Sequence, residues 1–432
     1  MVVLSPAQHP WPATTAIEED DITVAGVSLA TLRHTVGTPF FAYDTGELRA
    51  RCDAAVAAFG MGNVAYASKA FSCLAMARLV HSRGLLVDVA STGELRTALR
   101  AGVPAEDVVV HGNGKGPEYL DLAVTAGVGC IVLDEADEVA RVEALARRTG
   151  RPVGVRVRIT TGIAAGPHAA IQTGGEASKF GVLESTGEAL STVEAVRRSP
   201  FLYLRGIHAH AGSQVLRVGE LGASAHAAAR FTVSVGAESL VVGGGAGISH
   251  VTGERAPSFA EWATTVREAC AAAGWHGPVG VEPGRSIAGP AGLTVYTVRS
   301  VKRRGDVRVV AVDGGFTDNM RPALYGSRYE AFLLSSPRAD HTRPCRVVGV
   351  HCESGDVLVP DARLPVDVAP GDAIVVPATG AYGYAMASTY NRMPRPPVVF
   401  LDDGRATVAI RRENDEDLLR LDVAHGEEVA DA

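Results

Sequence analysis

"LLVDVASTGELRTALRAGVPAEDVVVHGNGKGPEYLDLAVTAGVGCIVLDEADEVARVEALARRTG" spans Leu85–Gly150 and holds one unit repeated three times. Each repeat opens on a short apolar run and continues as an amphipathic stretch such as ELRTALRAG or ADEVARVEALARRTG. In those stretches the apolar residues recur at helical spacing, and a closing glycine supplies the C-cap. The runs lack the polar alternation of a half-solvated sheet, as parallel strands covered by helices do.

The pattern extends in both directions. Apolar runs begin near Val64, Leu85, Val108, Ile131, Val153, Leu204, Leu240 and Val279. Eight strand–helix units predict an α/β fold, a TIM-like (β/α)8 barrel. A doubly wound open sheet has the same alternation, and spacing alone does not show ring closure. Polar residues collect at the ends of the runs: Lys69, Asp88, His111, Asp134, Arg156, His208 with His210, glycines 243–245, and Glu282 with Arg285. In a barrel those ends meet at one mouth, where active sites sit, so their placement favours the barrel.

After residue 295 the texture changes. LTVYTVRSVKR, RVVAVDGG, CRVVGVHCESGDVL, DAIVVPATGAYG, PPVVFLDDG and ATVAIRR are short β-rich runs separated by Gly, Pro and Asp. Three parts are expected: residues 1–38 as an N-terminal segment joining a β domain, 39–295 as the barrel, and 296–432 as a mostly β C-terminal domain. The stretch RRENDEDLLRL near the end reads as a solvated charged tail.

A chain of 432 residues with 47% hydrophobic and 21% charged residues has the makeup of a globular enzyme. Its net charge of -7 gives no basic footprint for nucleic acid or an anionic membrane. Six scattered cysteines form no CxxC pair, which argues against a disulfide scaffold or structural zinc site and fits a reducing cytoplasm. No secretory pattern opens the sequence and no apolar run is long enough to cross a bilayer, so a cytoplasmic protein is expected.

The motifs carry the chemistry. In NVAYASKAF (Asn63–Phe71), Ala65, Ala67 and Lys69 share one face of a strand, so two small residues clear a strip that ends in an amine. A lysine there is either solvated or able to form a Schiff base with an aldehyde cofactor. VVGGGAGIS (Val241–Ser249) is a glycine-rich turn after a strand, a phosphate cradle or simply a tight barrel turn. It is neither a dinucleotide fingerprint nor a Walker A loop. VEPGRSI (Val281–Ile287) offers Glu282 to a protonated pyridine nitrogen and Arg285 to a phosphate or carboxylate; a surface ion pair is the plainer alternative. GIHAHAGSQ sets His208 and His210 on one strand face. Without HExxH or a cysteine partner no metal is expected, and His210 can instead stack on an aromatic ring. In HCESGDVL, Cys352 is either a proton donor or a half-buried structural thiol.

Taken together, these stretches resemble the fold-type III pyridoxal-phosphate decarboxylases, and the diaminopimelate-decarboxylase group most closely. YASKAF, VDVASTGEL, HGN, SKFG, GIHAHAGSQ, GGGAGI, EPGRSI, VDGGFTDNMRPALYG, CESGD and GAYGYAMASTYN run in family order over nearly the whole chain. The resemblance implies an alanine racemase-like barrel, pyridoxal 5'-phosphate as cofactor, and decarboxylation of meso-2,6-diaminopimelate to L-lysine and carbon dioxide. It implies Lys69 as the Schiff-base lysine and His210 on the pyridine face. Glu282 falls on the ring nitrogen, with Asp88, Ser213, Gly244, Gly245, Gly284, Arg285 and Tyr382 completing the cofactor site. Arg285, Arg321, Tyr325, Glu353 and Tyr382 are implied for the substrate, and Cys352 for the final proton transfer. Cys352 and its neighbours are implied to act across a homodimer interface. Two stretches depart from the family: HGNGKG stands where HGNNKS is usual, and GPHAAIQTG lacks a bulky aromatic at Ala169 or Ala170. These leave a paralogous decarboxylase of a related basic or D-configured amino acid as the alternative. A racemase is less favoured because racemases lack a partner of the Glu282 kind.

Overall fold

The computed structural model describes residues 9–18, 20–168, 172–337 and 342–423. Its apolar runs form eight parallel strands: Ala65–Ala67, Leu86–Val89, Val108–Val110, Cys130–Leu133, Val153–Thr160, Leu202–Ala209, Leu240–Val241 and Val279–Gly280. They pair in chain order. The ring closes where Ala65 N–H donates to the Val281 carbonyl at 2.9 Å and Val281 N–H donates to that of Asn63 at 2.8 Å. That closure excludes the open-sheet alternative.

Strand alternation sorts the side chains into two shells. Val87, Val89, Val108, Val110, Ile131, Leu133, Val155 and Val157 point outward into the main core with the surrounding helices. Inside, Leu86, Val109, Cys130 and Val132 form a separate small cluster low in the barrel. Two residues further along each strand the same inward face turns polar, with Asp88 above Leu86, His111 above Val109 and Asp134 above Val132. This polar upper layer is the floor of the mouth.

Helix termini brace that layer. Ser91 caps helix Thr92–Arg100 by accepting the Glu94 N–H, and the Glu94 carboxylate accepts the Ala90 N–H at 2.7 Å, which fixes the turn after Asp88. Gly127 and Gly150 end their helices in the left-handed conformation.

The second sheet is built around the strand Gly292–Arg304. Its first half pairs with Phe40–Asp44 and Ala373–Pro377, and its second half with Val307–Val312. Thr342–Val348 and Val357–Pro365 extend one edge, and Val398–Asp402 and Arg405–Ile410 the other. Phe40–Asp44 therefore lies hydrogen-bonded in this sheet, although it falls after residue 38, where the barrel portion is expected to begin. Ile22, Val24, Leu29 and Leu32 of the N-terminal segment pack in one apolar cluster with Leu293, Val375 and Val399.

RRENDEDLLRL is exposed or half-exposed throughout, in keeping with a solvated charged tail, and it is also ordered. Asn414 caps the helix Asp415–Leu419 in a capping box, and Arg412 donates to the carbonyls of Gly37 and Pro39 at 2.9 and 2.8 Å. Arg412 thereby ties the segment to the turn that precedes Phe40–Asp44, while Arg411 pairs with Asp417 within the segment itself. Among the described residues no helix is long and apolar enough to cross a membrane.

Candidate active site

The first strand ends at Ala67, and the chain tightens into a 3-10 turn, Ser68–Ala70, that carries Lys69. Lys69 is thus not the last residue of a strand but the crest of a turn, with its side chain open to the mouth. All ten residues expected to hold the cofactor line one cavity of about 330 Å³. Ala67 lines it too, whereas Ala65 faces a small void below.

Glu282 is the electrostatic centre. One carboxylate oxygen accepts from His111 Nε2 at 2.9 Å and the other from His208 Nε2 at 2.8 Å. Burial alone raises the carboxyl, but the charge of His111 and hydrogen bonds from His111 and His208 hold it well below the usual range. Burial pushes His208 down to about 4, so near neutral pH it is an uncharged imidazole donating its Nε2 proton. Asp88 is moved the other way, to about 6, by burial first, with the His111 charge opposing and the Glu282 charge reinforcing. The ring of His210 is held neutral by burial and then by the charges of Lys69 and Arg158.

The anion end is built from missing side chains. A Cβ on Gly244 would collide with the Glu282 carbonyl, one on Gly245 with that of Gly212, and one on Gly284 with Ala67 and Ala70. The backbone therefore comes close on three sides of the cavity. Arg285 is buried there; its Nη2 donates to Ser213 Oγ at 3.0 Å, while Nε and Nη1 have no partner among the described residues. A buried guanidinium with two unused donors beside a cradle of glycines is a receptor for phosphate or carboxylate.

Tyr382, at φ +60°, lines this cavity, and its ring lies near Arg321, which lines a second cavity of about 560 Å³. The Arg285 guanidinium lies 4.7 Å from the Tyr382 ring centroid and that of Arg321 5.7 Å. Arg321 and Tyr325 line this second cavity, with Arg321 held by Tyr329 Oη at 3.0 Å and Ser327 Oγ at 3.1 Å. Cys352 and Glu353 line neither cavity. Both are exposed on the second sheet, where Tyr390 Oη donates to Glu353 at 2.6 Å. One chain thus gathers the residues expected at the cofactor and, with Arg321 and Tyr325, part of the set expected at the substrate, but leaves Cys352 and Glu353 apart.

Other members of the constellation stand outside the residues singled out for cofactor and substrate. His111 and His208 brace Glu282. Arg158, not Arg156, reaches the mouth; it pairs with Asp134 at 3.4 Å and packs over the Phe180 ring at 4.5 Å. Its strand runs on to Thr160, five residues past the apolar run Val153–Val155, and Arg156 lines the void below. Counting alternation to the true strand end would have found it. His111, His208 and Glu282 also converge closely enough to ligate a metal, but hydrogen bonding already accounts for their arrangement. Gly114, at φ +62°, and Gly116 face open space, and Ala169 and Ala170 lie outside the described residues.

The donor set fits pyridoxal phosphate. An open amine, an ionised carboxylate able to accept the hydrogen bond of a pyridinium N–H, a neutral imidazole and an unsatisfied buried guanidinium correspond to its aldehyde, ring nitrogen, ring face and phosphate.

Comparison with known proteins agrees. The family model "Pyridoxal-dependent decarboxylase, pyridoxal binding domain" matches residues 45–289. The diaminopimelate decarboxylase of Mycobacterium tuberculosis is 41% identical over 96% of this chain and 98% of its own. That of Bacillus subtilis is 41% identical over 93% and 95%. The crystal structure of diaminopimelate decarboxylase from Helicobacter pylori complexed with L-lysine superposes with a TM-score of 0.84 at 32% identity, covering 91% of this chain and 98% of that one.

Proposed function

This chain belongs to the pyridoxal-dependent decarboxylase family, and from that premise we propose that it removes one carboxylate of meso-2,6-diaminopimelate as carbon dioxide, leaving L-lysine. The observation that carries the reading is the ionised Glu282, bonded through both oxygens, in the same cavity as the amine of Lys69.

When bound, pyridoxal phosphate supplies an aldehyde that takes up the substrate amine and a ring that withdraws electrons from the breaking carbon–carbon bond. The residues of this chain do the rest. Lys69 would hold the cofactor through its aldehyde. Arg285 and Ser213, with the backbone around Gly244, Gly245 and Gly284, anchor the phosphate. Glu282 keeps a proton on the ring nitrogen, which preserves its pull on electrons, while His111 and His208 fix the carboxylate at that atom. A carboxylate has about four acceptor sites, so two imidazole donors leave room for the ring. Neutral His210 would face the ring without competing for its charge, and Asp88 lines the same cavity.

Arg321, Tyr325 and the Tyr382 ring select a substrate whose far end carries a carboxylate. Glu353 of the partner subunit binds the distal ammonium. Cys352 of the partner subunit delivers the proton to the carbon that lost the carboxylate. The exposure of both residues in one chain, away from its own cavities, supports a symmetric homodimer with sites shared across the interface.

Borohydride reduction followed by peptide mapping is expected to place a pyridoxyl group on Lys69, and the protein is expected to release carbon dioxide from meso-diaminopimelate in preference to lysine, ornithine or arginine. An adduct elsewhere would reject the cofactor assignment. An adduct at Lys69 without carbon dioxide from diaminopimelate would reject only the substrate.

A further inference from the structure

Three loops of the second sheet converge on one imidazole. Residues 313–326 carry Arg321 and Tyr325, residues 349–356 carry Cys352 and Glu353, and residues 378–392 carry Tyr382 and Tyr390. His351 sits where they meet and is 8% exposed. Its Nε2 pairs with Thr317 Oγ1 of the first loop at 2.8 Å, and its Nδ1 with Asn391 Oδ1 of the third at 3.0 Å. Its ring stacks on Phe316, with centroids 4.8 Å apart and planes at 27°, and leans on Tyr390 at 5.5 Å. Tyr390 in turn donates to Glu353.

The backbone repeats the connection. Asp356 accepts the His351 N–H at 2.8 Å with one oxygen and the Phe316 N–H at 2.7 Å with the other. The joint is tight: a Cβ on Gly315 would strike the Asp356 carboxylate and the His351 ring, and one on Gly349 the same carboxylate. Asn391 is held at φ +54°, a left-handed conformation that needs support from its surroundings.

We propose that His351 is a positioning residue that sets where Cys352 and Glu353 stand relative to the Arg321–Tyr325 grip, without itself touching substrate or cofactor. The inference rests on the decarboxylase reading above, in which Cys352 gives up the proton. An imidazole suits this place because it offers two hydrogen-bonding atoms on opposite sides of a flat ring. Glutamine can replace one of those bonds and phenylalanine neither. Misplacing a reacting group by about 1 Å costs on the order of 100-fold in rate, so a loosened joint acts on turnover without removing any reacting atom.

The test is a double-mutant cycle on the cofactor-loaded enzyme with meso-diaminopimelate. His351→Ala is expected to lower kcat at least 10-fold with cofactor affinity within twofold of wild type, and His351→Gln to lose less. Added to Cys352→Ala, His351→Ala is expected to cause little further loss of kcat, because the group it places is gone. Equal fractional losses in both backgrounds, or a kcat within twofold of wild type in His351→Ala, overturn the proposal. Should His351→Ala not fold, His351→Gln completes the cycle with the same criteria. If Cys352→Ala alone turns over at the wild-type rate, the acid assignment falls separately, and His351 is judged on KM. A KM unchanged in His351→Ala then overturns its positioning role, and a raised KM sustains it.

Discussion

Cys352 and Glu282 show how differently single residues declare their roles. Glu282 is defined by its partners within one chain: two imidazole donors, a buried setting and an ionised carboxylate. Cys352 has no hydrogen-bond partner of that kind among the described residues, since it lies exposed on a loop of the second sheet. If it is the proton donor, Cys352→Ala should keep its cofactor, read by absorbance, and lose turnover on the order of 100-fold. Near-normal turnover would remove the thiol from the reaction. The sequence carried the identities of the polar mouth residues because alternation fixes which residues share a face. It did not carry strand length. The apolar run ends before Arg156 and so points to it as the mouth arginine, whereas the strand continues and delivers Arg158. His111 and His208 were visible as strand-end residues, but their shared partner, 171 and 74 positions away, was not.

At the scale of elements, the loop HGNGKG is tied down by an ion pair with no contact with solvent. Lys115 Nζ donates to both Glu138 oxygens at 2.9 and 2.8 Å, both side chains are 0% exposed, and the same carboxylate accepts the Asp134 N–H. Removing one member of such a pair strands the other charge. Lys115→Met should therefore cost about 3–5 kcal/mol in urea unfolding, and Lys115→Met with Glu138→Leu should recover much of it. A loss under about 1 kcal/mol for the single change would mean water reaches the site. The eight strand–helix units could be read from the chain because each is written locally, as an apolar run, an amphipathic stretch and a cap. The last helix was harder. Its capping box at Asn414 lies among charges that suggest solvent, and what ties the segment down is distant in sequence: Arg412 on the carbonyls of Gly37 and Pro39, Arg395 on Glu413 and Arg392 on the Leu418 carbonyl.

Over the whole molecule, two expectations concern stability and assembly. Burial raises the Asp318 carboxyl to about 7, with Asp313 and Asp356 adding to the shift and the Gly315 N–H opposing it. Between its unfolded value of 3.8 and about 7 the folded chain binds more of this proton than the unfolded chain. The contribution of Asp318 to stability is thus greatest at low pH and falls by at most about 1.4 kcal/mol per pH unit across that window. Asp318→Asn should flatten this slope, so melting temperatures of variant and wild type should diverge in the variant's favour from pH 5 to pH 7. A constant difference would show that the group titrates normally. A shared active site predicts complementation: dissociating and re-mixing inactive Lys69→Ala and Cys352→Ala chains should restore about a quarter of wild-type turnover, since half the dimers then hold one intact site of two. No recovery on proven subunit exchange would confine each site to one chain.

The strand Phe40–Asp44 sits between Gly292–Arg304 and Val398–Asp402, so the middle of the second sheet is supplied from near the start of the chain and finished near its end. During synthesis this strand leaves the ribosome with neither neighbour yet made. The barrel has every strand it needs before the sheet can close over Phe40, Phe41 and Tyr43. A gene fragment beginning at residue 296 would encode a sheet with its central plank missing and two raw edges ready to pair with strangers. Cutting the gene at that seam would not release two independent proteins, whereas co-expressing the pieces gives the early strand its place.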